Sequence, residues 1–208
     1  MSGAPVHHGP GDAGDNGASA VTPIKAPLRP DDEDERIAAV RRYGILGTAA
    51  GTAFDRITAL AARLFDLPIA VISIVDTDRI WFKSHHGLPD VAEAPRDPGL
   101  CASAILQTGL WIVPDAAADP RTLAHPLVVG GAGVRFYAGV PLVTADGHHV
   151  GTLAVMGRQP RRVTLAEAAT LQDLAALVMD ELEVRLLARR AVATAMDASR
   201  ATAERLAA

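Results

Sequence analysis

The run Ile69-Ala70-Val71-Ile72-Ser73-Ile74-Val75 limits what this chain can fold into more than any other segment. It is almost wholly apolar and rich in β-branched side chains, so it favours extended backbone. With no polar face to offer water, such a strand needs cover on both sides and belongs at the centre of a sheet. Its neighbours supply that cover. Phe54, Ile57, Leu60, Ala61 and Leu64 recur at spacings of three and four, one buried helical face that Pro68 ends. Thr52 with Asp55 predicts a capping-box-like start for that helix. Asp76-Thr77-Asp78 marks a turn, and Ile80 to Ser84 is the antiparallel partner strand, ended by Gly87 and Pro89.

The same reasoning extends outward. Asp31 to Glu35 precede Arg36-Ile37-Ala38-Ala39-Val40, with Arg41-Arg42 near the end, a charge order that suits a short helix and its dipole. Asp97-Pro98 predicts a helix start that carries Leu100 to Leu106 and stops at Gly109. Trp111 to Val113 is a short strand broken by Pro114. Asp115 to Gly133 is long and irregular, a kind of loop that is usually functional or mobile. Arg135 to Leu142 and Val150 to Met156 flank Asp146-Gly147, a hairpin signal. Thr164 and Glu167 form a capping box for a last helix striped by Leu171, Leu174, Val178, Leu182 and Leu186. A thinner heptad-like stripe continues through Val192, Met196, Ser199, Ala203 and Leu206. Mostly antiparallel strands with helices at both ends predict an α+β sandwich, not a doubly wound fold.

Composition narrows the function. Of 208 residues 49% are hydrophobic, enough for one core, and the net charge of −4 lacks the basic footprint that offsets nucleic-acid phosphates. Cys101 is the only cysteine, so neither an internal disulfide nor a cysteine-based zinc cage can form within one chain. Met1 to Pro10 show no signal-peptide pattern, and the apolar stretch from Leu67 to Val75 is too short to span a bilayer. These features fit a soluble, cytoplasmic chain. Residues 1–30, rich in Gly, Pro, Ala, Asp and Ser, are expected to be a disordered tail. The folded domain is expected over 31–185 and a helical extension over 186–208.

An ordered series of segments resembles bacterial GAF domains. It comprises Glu35 to Leu46, Phe54-Asp55-Arg56-Ile57, the Ile69 to Asp76 strand, Trp81-Phe82-Lys83-Ser84, Cys101 to Leu106 and Val113-Pro114-Asp115-Ala116. It continues with Ala118-Asp119-Pro120-Arg121, His125-Pro126-Leu127-Val128, Arg135-Phe136-Tyr137-Ala138-Gly139 and Gly151-Thr152-Leu153. The resemblance implies a GAF- or PAS-like antiparallel sheet of about five to six strands. N- and C-terminal helices would cover one face, and irregular segments would roof a small-molecule pocket on the other. It implies a sensory role without catalysis, beside diguanylate cyclase, histidine kinase or phosphatase outputs. Nothing follows the final helix here, so the expected output is a separate protein reached through a homodimer built on terminal helices. Ser103 stands where relatives often carry histidine, and Met156-Gly157-Arg158 replaces a more usual strand end, so a relative's ligand does not transfer.

Candidate ligand-binding residues are Trp81, Cys101, Ser103, Asp115, Asp119, Arg121, Arg135 and Tyr137. Asp115, Asp119, Arg121 and Arg135 either orient a polar ligand or form a salt-bridge network, and Asp119-Pro120-Arg121 has turn chemistry. Trp81 is open between core packing and a stacking platform. Cys101 is open between a buried structural residue, a redox sensor and a bilin attachment point, though Cys101-Ala102 lacks the Cys-His pair of bilin photoreceptors. A GAF-type methionine sulfoxide reductase needs more thiols than this chain has. His85-His86 and His148-His149 each supply at most one inward ligand if extended, so no metal is expected. Residues 130–133 lack phosphate-loop spacing, and Ser73, Ser84 and Ser103 lack a nucleophile-elbow setting. A ligand-free GAF scaffold for dimerisation or partner docking is the alternative function.

Overall fold

The computed structural model describes residues 29–48, 51–88 and 91–207. The disordered-tail expectation falls largely on residues outside that set. Helices α1 (Glu33–Tyr43) and α2 (Thr52–Phe65) precede strands β1 (Ile69–Val75), β2 (Arg79–His86) and β3 (Glu93–Pro95). Helix α3 (Leu100–Ala104), strand β4 (Trp111–Val113) and helix α4 (Pro126–Val129) follow. The hairpin β5 (Phe136–Val143) and β6 (His149–Gly157) then leads to α5 (Leu165–Ala207).

The six strands form one sheet in the order β3-β2-β1-β6-β5-β4, and every neighbouring pair is antiparallel. The fold is therefore α+β, with β1 and β6 at its centre. Every residue of β1 is buried, as an apolar run without a polar face requires. Its side chains alternate between two cores. Ala70, Ile72 and Ile74 join α1, α2 and α5 through Val40, Phe54, Phe65, Leu171 and Val178. Ile69, Val71 and Val75 join α3 through Leu100, Cys101 and Ala104, with Trp111, Tyr137 and Met156 beside them. Ser73 and Thr152, directly opposite each other on β1 and β6, satisfy their buried hydroxyls with a 2.8 Å hydrogen bond.

Several element ends differ from expectation for identifiable reasons. Gly51, not Thr52, caps α2, and the Asp55 carboxylate accepts the Ser84 hydroxyl at 2.7 Å instead of turning back to the helix start. Helix α3 begins at Leu100 behind an extended Gly99, the Asp97–Pro98 peptide being cis. It ends after Ala104, where the Leu106 and Gln107 N–H groups donate to the Ser103 and Ala104 carbonyls in tighter turns, and the Ile105 carbonyl accepts the His149 ring at 2.7 Å. The short strand β3 and the single turn α4 were not expected, since neither carries periodic apolar residues. The capping box at Thr164 and Glu167 is formed reciprocally, with backbone donors bonded at 2.8 and 3.2 Å.

Candidate functional site

The face of the sheet opposite α1, α2 and α5 carries most of the candidate residues. Tyr137 projects from β5 onto this face and is fully buried. Gly139, two residues on, leaves the room its ring needs, since a Cβ there would meet the Tyr137 ring and hydroxyl. The hydroxyl lies 3.8 Å from Cys101 Sγ on α3, and burial pushes the phenol well above its ordinary pKa. Trp111 of β4, absent from the sequence-based set, packs its ring against Tyr137 with centroids 5.2 Å apart. Ser103 spends its hydroxyl on the Gly99 carbonyl within its own helix.

The loop above this face is organised by two arginine–carboxylate forks. Arg135 donates twice to Asp115 at 2.7 Å, and Arg121 donates to both oxygens of Asp119. The paired guanidinium holds each carboxyl below its ordinary value. Asp119 also accepts the Arg121 N–H, the turn chemistry anticipated from Asp-Pro-Arg. The Arg121 guanidinium then lies 5.4 Å above the Trp111 ring, closing a stack of arginine, tryptophan and tyrosine. His125 caps α4 by accepting the Leu127 N–H at 3.1 Å. The roof side thus gathers Cys101, Ser103, Asp115, Asp119, Arg121, Arg135 and Tyr137.

Trp81 does not join them. The β1–β2 register slips where Ile72 faces Ser84 and Ser73 faces Phe82, leaving Lys83 as a bulge. Trp81 consequently packs in the core beneath α2, where Lys83 Nζ lies 5.4 Å from both its ring and that of Phe54. Burial, with Arg185 nearby, lowers the Lys83 pKa.

Arginine 36, read from sequence as ordinary helix charge, turns out to be central. It is 1% exposed at the end of the sheet, donating to the Val75 and His149 carbonyls and forking onto Glu33. Arg96, 3% exposed, reaches the same Glu33 carboxylate and the Asp76 carbonyl. Burial alone would raise the Glu33 pKa, but hydrogen bonds from Arg36 and Arg96 outweigh it and bring it down to about 2. The one sequence signal for this triad is an arginine on the same α1 stripe as Val40 and Tyr43. A cleft of about 340 Å³ lies beside it, lined by Asp31, Asp32, Arg36, Ile105 and His149 among others, and by none of the eight candidate residues.

Helix α5 connects this body to its surroundings. Leu171, Leu174, Val178, Leu182 and Leu186 are buried against the sheet and the other helices. Two contacts from α1 fix the point where the helix leaves: Tyr43 donates its hydroxyl to Glu183, and Arg189 donates to the Tyr43 carbonyl. Every described side chain from Leu187 onward is exposed, Val192 and Met196 among them. No helix among the described residues is long and apolar enough to cross a membrane.

Comparison with known proteins places this architecture. The chain is 45% identical over 158 residues to a cyclic di-GMP phosphodiesterase of Pseudomonas aeruginosa. The match covers 75% of this chain and 27% of that enzyme, so the chain spans about a quarter of that relative's length. Among solved structures it resembles a free methionine-R-sulfoxide reductase of Neisseria meningitidis, with TM-score 0.55, 20% identity, and 74% and 93% of the two chains covered. The GAF domain of an Acinetobacter phosphoenolpyruvate-protein phosphotransferase aligns with TM-score 0.53, 17% identity, and 77% and 98% covered. At such identities these two likenesses concern the fold alone. The family model of the GAF domain matches residues 50–182. With the antiparallel sheet and the helix-flanked core already in place, the chain belongs to the GAF domain family.

Proposed function

We propose that this chain is a sensory and regulatory domain that receives a small-molecule signal on the roof side of its sheet and passes it to a signalling output through α5. The observation that carries this reading is the continuity of α5 through 43 residues. Its first half is part of the core, and its second half is a rigid arm in solvent. Strand β5 turns Tyr137 toward the roof and Phe136 and Ala138 toward the helix side, where α5 packs. A change in packing on one face is therefore one strand's thickness from the helix that leaves the domain. The solvated forks at Asp115–Arg135 and Asp119–Arg121 are the groups we assign to a polar ligand, with Cys101, Ser103 and Tyr137 beneath them. Trp81, in the opposite core, would then serve packing only.

The output we assign follows the relative in Pseudomonas aeruginosa: control of cyclic-dinucleotide turnover, exerted on another domain or protein by a cytoplasmic homodimer joined along α5. Binding of ligand would order the 115–133 loop and bias α5 between two packings.

One observation favours the alternative of a ligand-free scaffold. The roof side is filled by a second apolar core, and its polar candidates are already paired with each other. Native mass spectrometry on protein purified from its own host separates the two. A dimer carrying a bound small mass supports the sensor. A dimer of bare chains supports the scaffold. A bare monomer contradicts both.

A further inference from the structure

Two buried nitrogen donors on the roof side lack acceptors. The indole N–H of Trp111, a residue 6% exposed, is sealed from solvent and has no hydrogen-bond partner. His125 Nε2 is in the same position, the Pro98 carbonyl facing its ring without reaching hydrogen-bond geometry. Because His125 Nδ1 accepts the Leu127 N–H, the neutral ring carries its hydrogen on Nε2, and burial favours that neutral ring. Tyr137, stacked beside Trp111, donates to Cys101 Sγ at 3.8 Å, a weak acceptor. Every buried side-chain oxygen among the described residues has a partner. What the roof side lacks is acceptors.

The surroundings decide the charge of what could supply them. Trp111 packs in an apolar cluster with Leu100, Val113, Ala116, Val134 and Met156. Arg121 and Arg135 above it are already paired with Asp119 and Asp115. An anion drawn into this cluster would lose its hydration without gaining an unpaired guanidinium. A neutral carbonyl oxygen accepts two hydrogen bonds and brings no charge. Access lies at α4, which His125 caps. None of its four residues is buried, and it rests on the cluster through the partly buried Leu127 and Val128. A turn held by so little apolar contact opens at low cost.

We infer that the roof-side ligand is a small neutral molecule with an apolar body, whose carbonyl oxygens accept hydrogen bonds from the Trp111 indole and His125 Nε2 once α4 has lifted to admit it. The closed roof leaves both donors out of water, so a carbonyl gains its bonds with their desolvation already part of the fold. This inference rests on the sensor reading above and adds the chemical class of the ligand.

Proton–nitrogen NMR of the full chain tests it, because Trp81 and Trp111 are its two tryptophans and Trp81 lies in the opposite core. Trp111→Phe and Trp81→Phe each identify one indole signal by its loss. N-methylpyrrolidone, a neutral amide with an acceptor and no donor, is expected to move the Trp111 signal downfield and leave Trp81 in place, saturating at about millimolar concentration. Cyclopentanecarboxylate, a charged probe of similar size, is expected to bind roughly tenfold more weakly or worse. Trp111→Phe keeps the ring without its N–H and should weaken N-methylpyrrolidone roughly tenfold in ligand-detected NMR. No saturable shift of the Trp111 signal, tighter binding of the carboxylate, or unchanged affinity in Trp111→Phe would overturn the proposed class. A small mass bound in native mass spectrometry beside a Trp111 signal indifferent to N-methylpyrrolidone defeats the class alone. Bare chains with no response to either probe defeat the sensor reading as well.

Discussion

Replacing Glu33 with Gln removes the carboxylate that Arg36 and Arg96 share without changing its shape. Arg36 keeps the Val75 and His149 carbonyls as acceptors but loses the charge that balances it in a site 1% exposed. The magnitude follows from linkage. Glu33 is 14% exposed, and its folded pKa is about 2 against an ordinary 4.5. That difference corresponds to about 3 kcal/mol of stability at neutral pH. Breaking a buried ion pair by removing one partner costs about 3–5 kcal/mol, so the two routes agree. Because the folded pKa is depressed, this stability is fully present above pH 4.5 and is withdrawn as pH falls toward 2. Urea unfolding at pH 7 should therefore show the Glu33→Gln chain about 3 kcal/mol less stable than the parent. Near pH 2.5 the gap should fall below about 1 kcal/mol, since the parent carboxyl is by then partly protonated. Equal stability at pH 7, or a gap that does not narrow in acid, would refute the assignment of Glu33 as the charge that holds this corner.

Further outcomes follow from neighbouring contacts. Tyr43→Phe deletes the hydroxyl donated to Glu183 and should cost about 1 kcal/mol in urea unfolding. Gly44 sits at φ +51°, and a Cβ there would run into the Arg189 guanidinium, so Gly44→Ala should cost about 1–2 kcal/mol and lower the thermal midpoint. Arg135→Ala breaks a fork that is largely solvated, and stability should change by less than about 1 kcal/mol; a larger loss would give the Asp115 fork a structural role. Cys101 is 4% exposed, so a thiol reagent should label it slowly in the folded chain and quickly in urea. Rapid labelling of native protein would revive the redox-sensor reading.

The fold was legible where the determinants are local. Ile69 to Val75 announced a doubly covered strand, Asp146-Gly147 the hairpin, and Thr164 with Glu167 the start of α5, each within a few residues. The roof-side candidates came together because the β5 alternation and the 115–121 turn are local too. What stayed hidden depends on distant partners. The Glu33 carboxylate is shared with an arginine 63 positions away, and no window along α1 contains it. Trp81 was ambiguous because its face depends on strand register, and the slip at Lys83 lies in the β1–β2 pairing. Trp111 was read only as part of a strand, since the stack it makes with Tyr137 and Arg121 draws on three separate elements.

Sedimentation equilibrium on residues 1–208 beside a chain ending at Arg190 tests the central role given to α5. The shorter chain keeps every buried α5 residue and the Arg189 contact with Tyr43. The full chain should sediment as a dimer and the shorter one as a monomer, with the same urea midpoint at concentrations where the parent is dissociated. A full-length monomer, or a shortened chain that dimerises as well as its parent, would show that α5 is not the element joining this domain to a second copy.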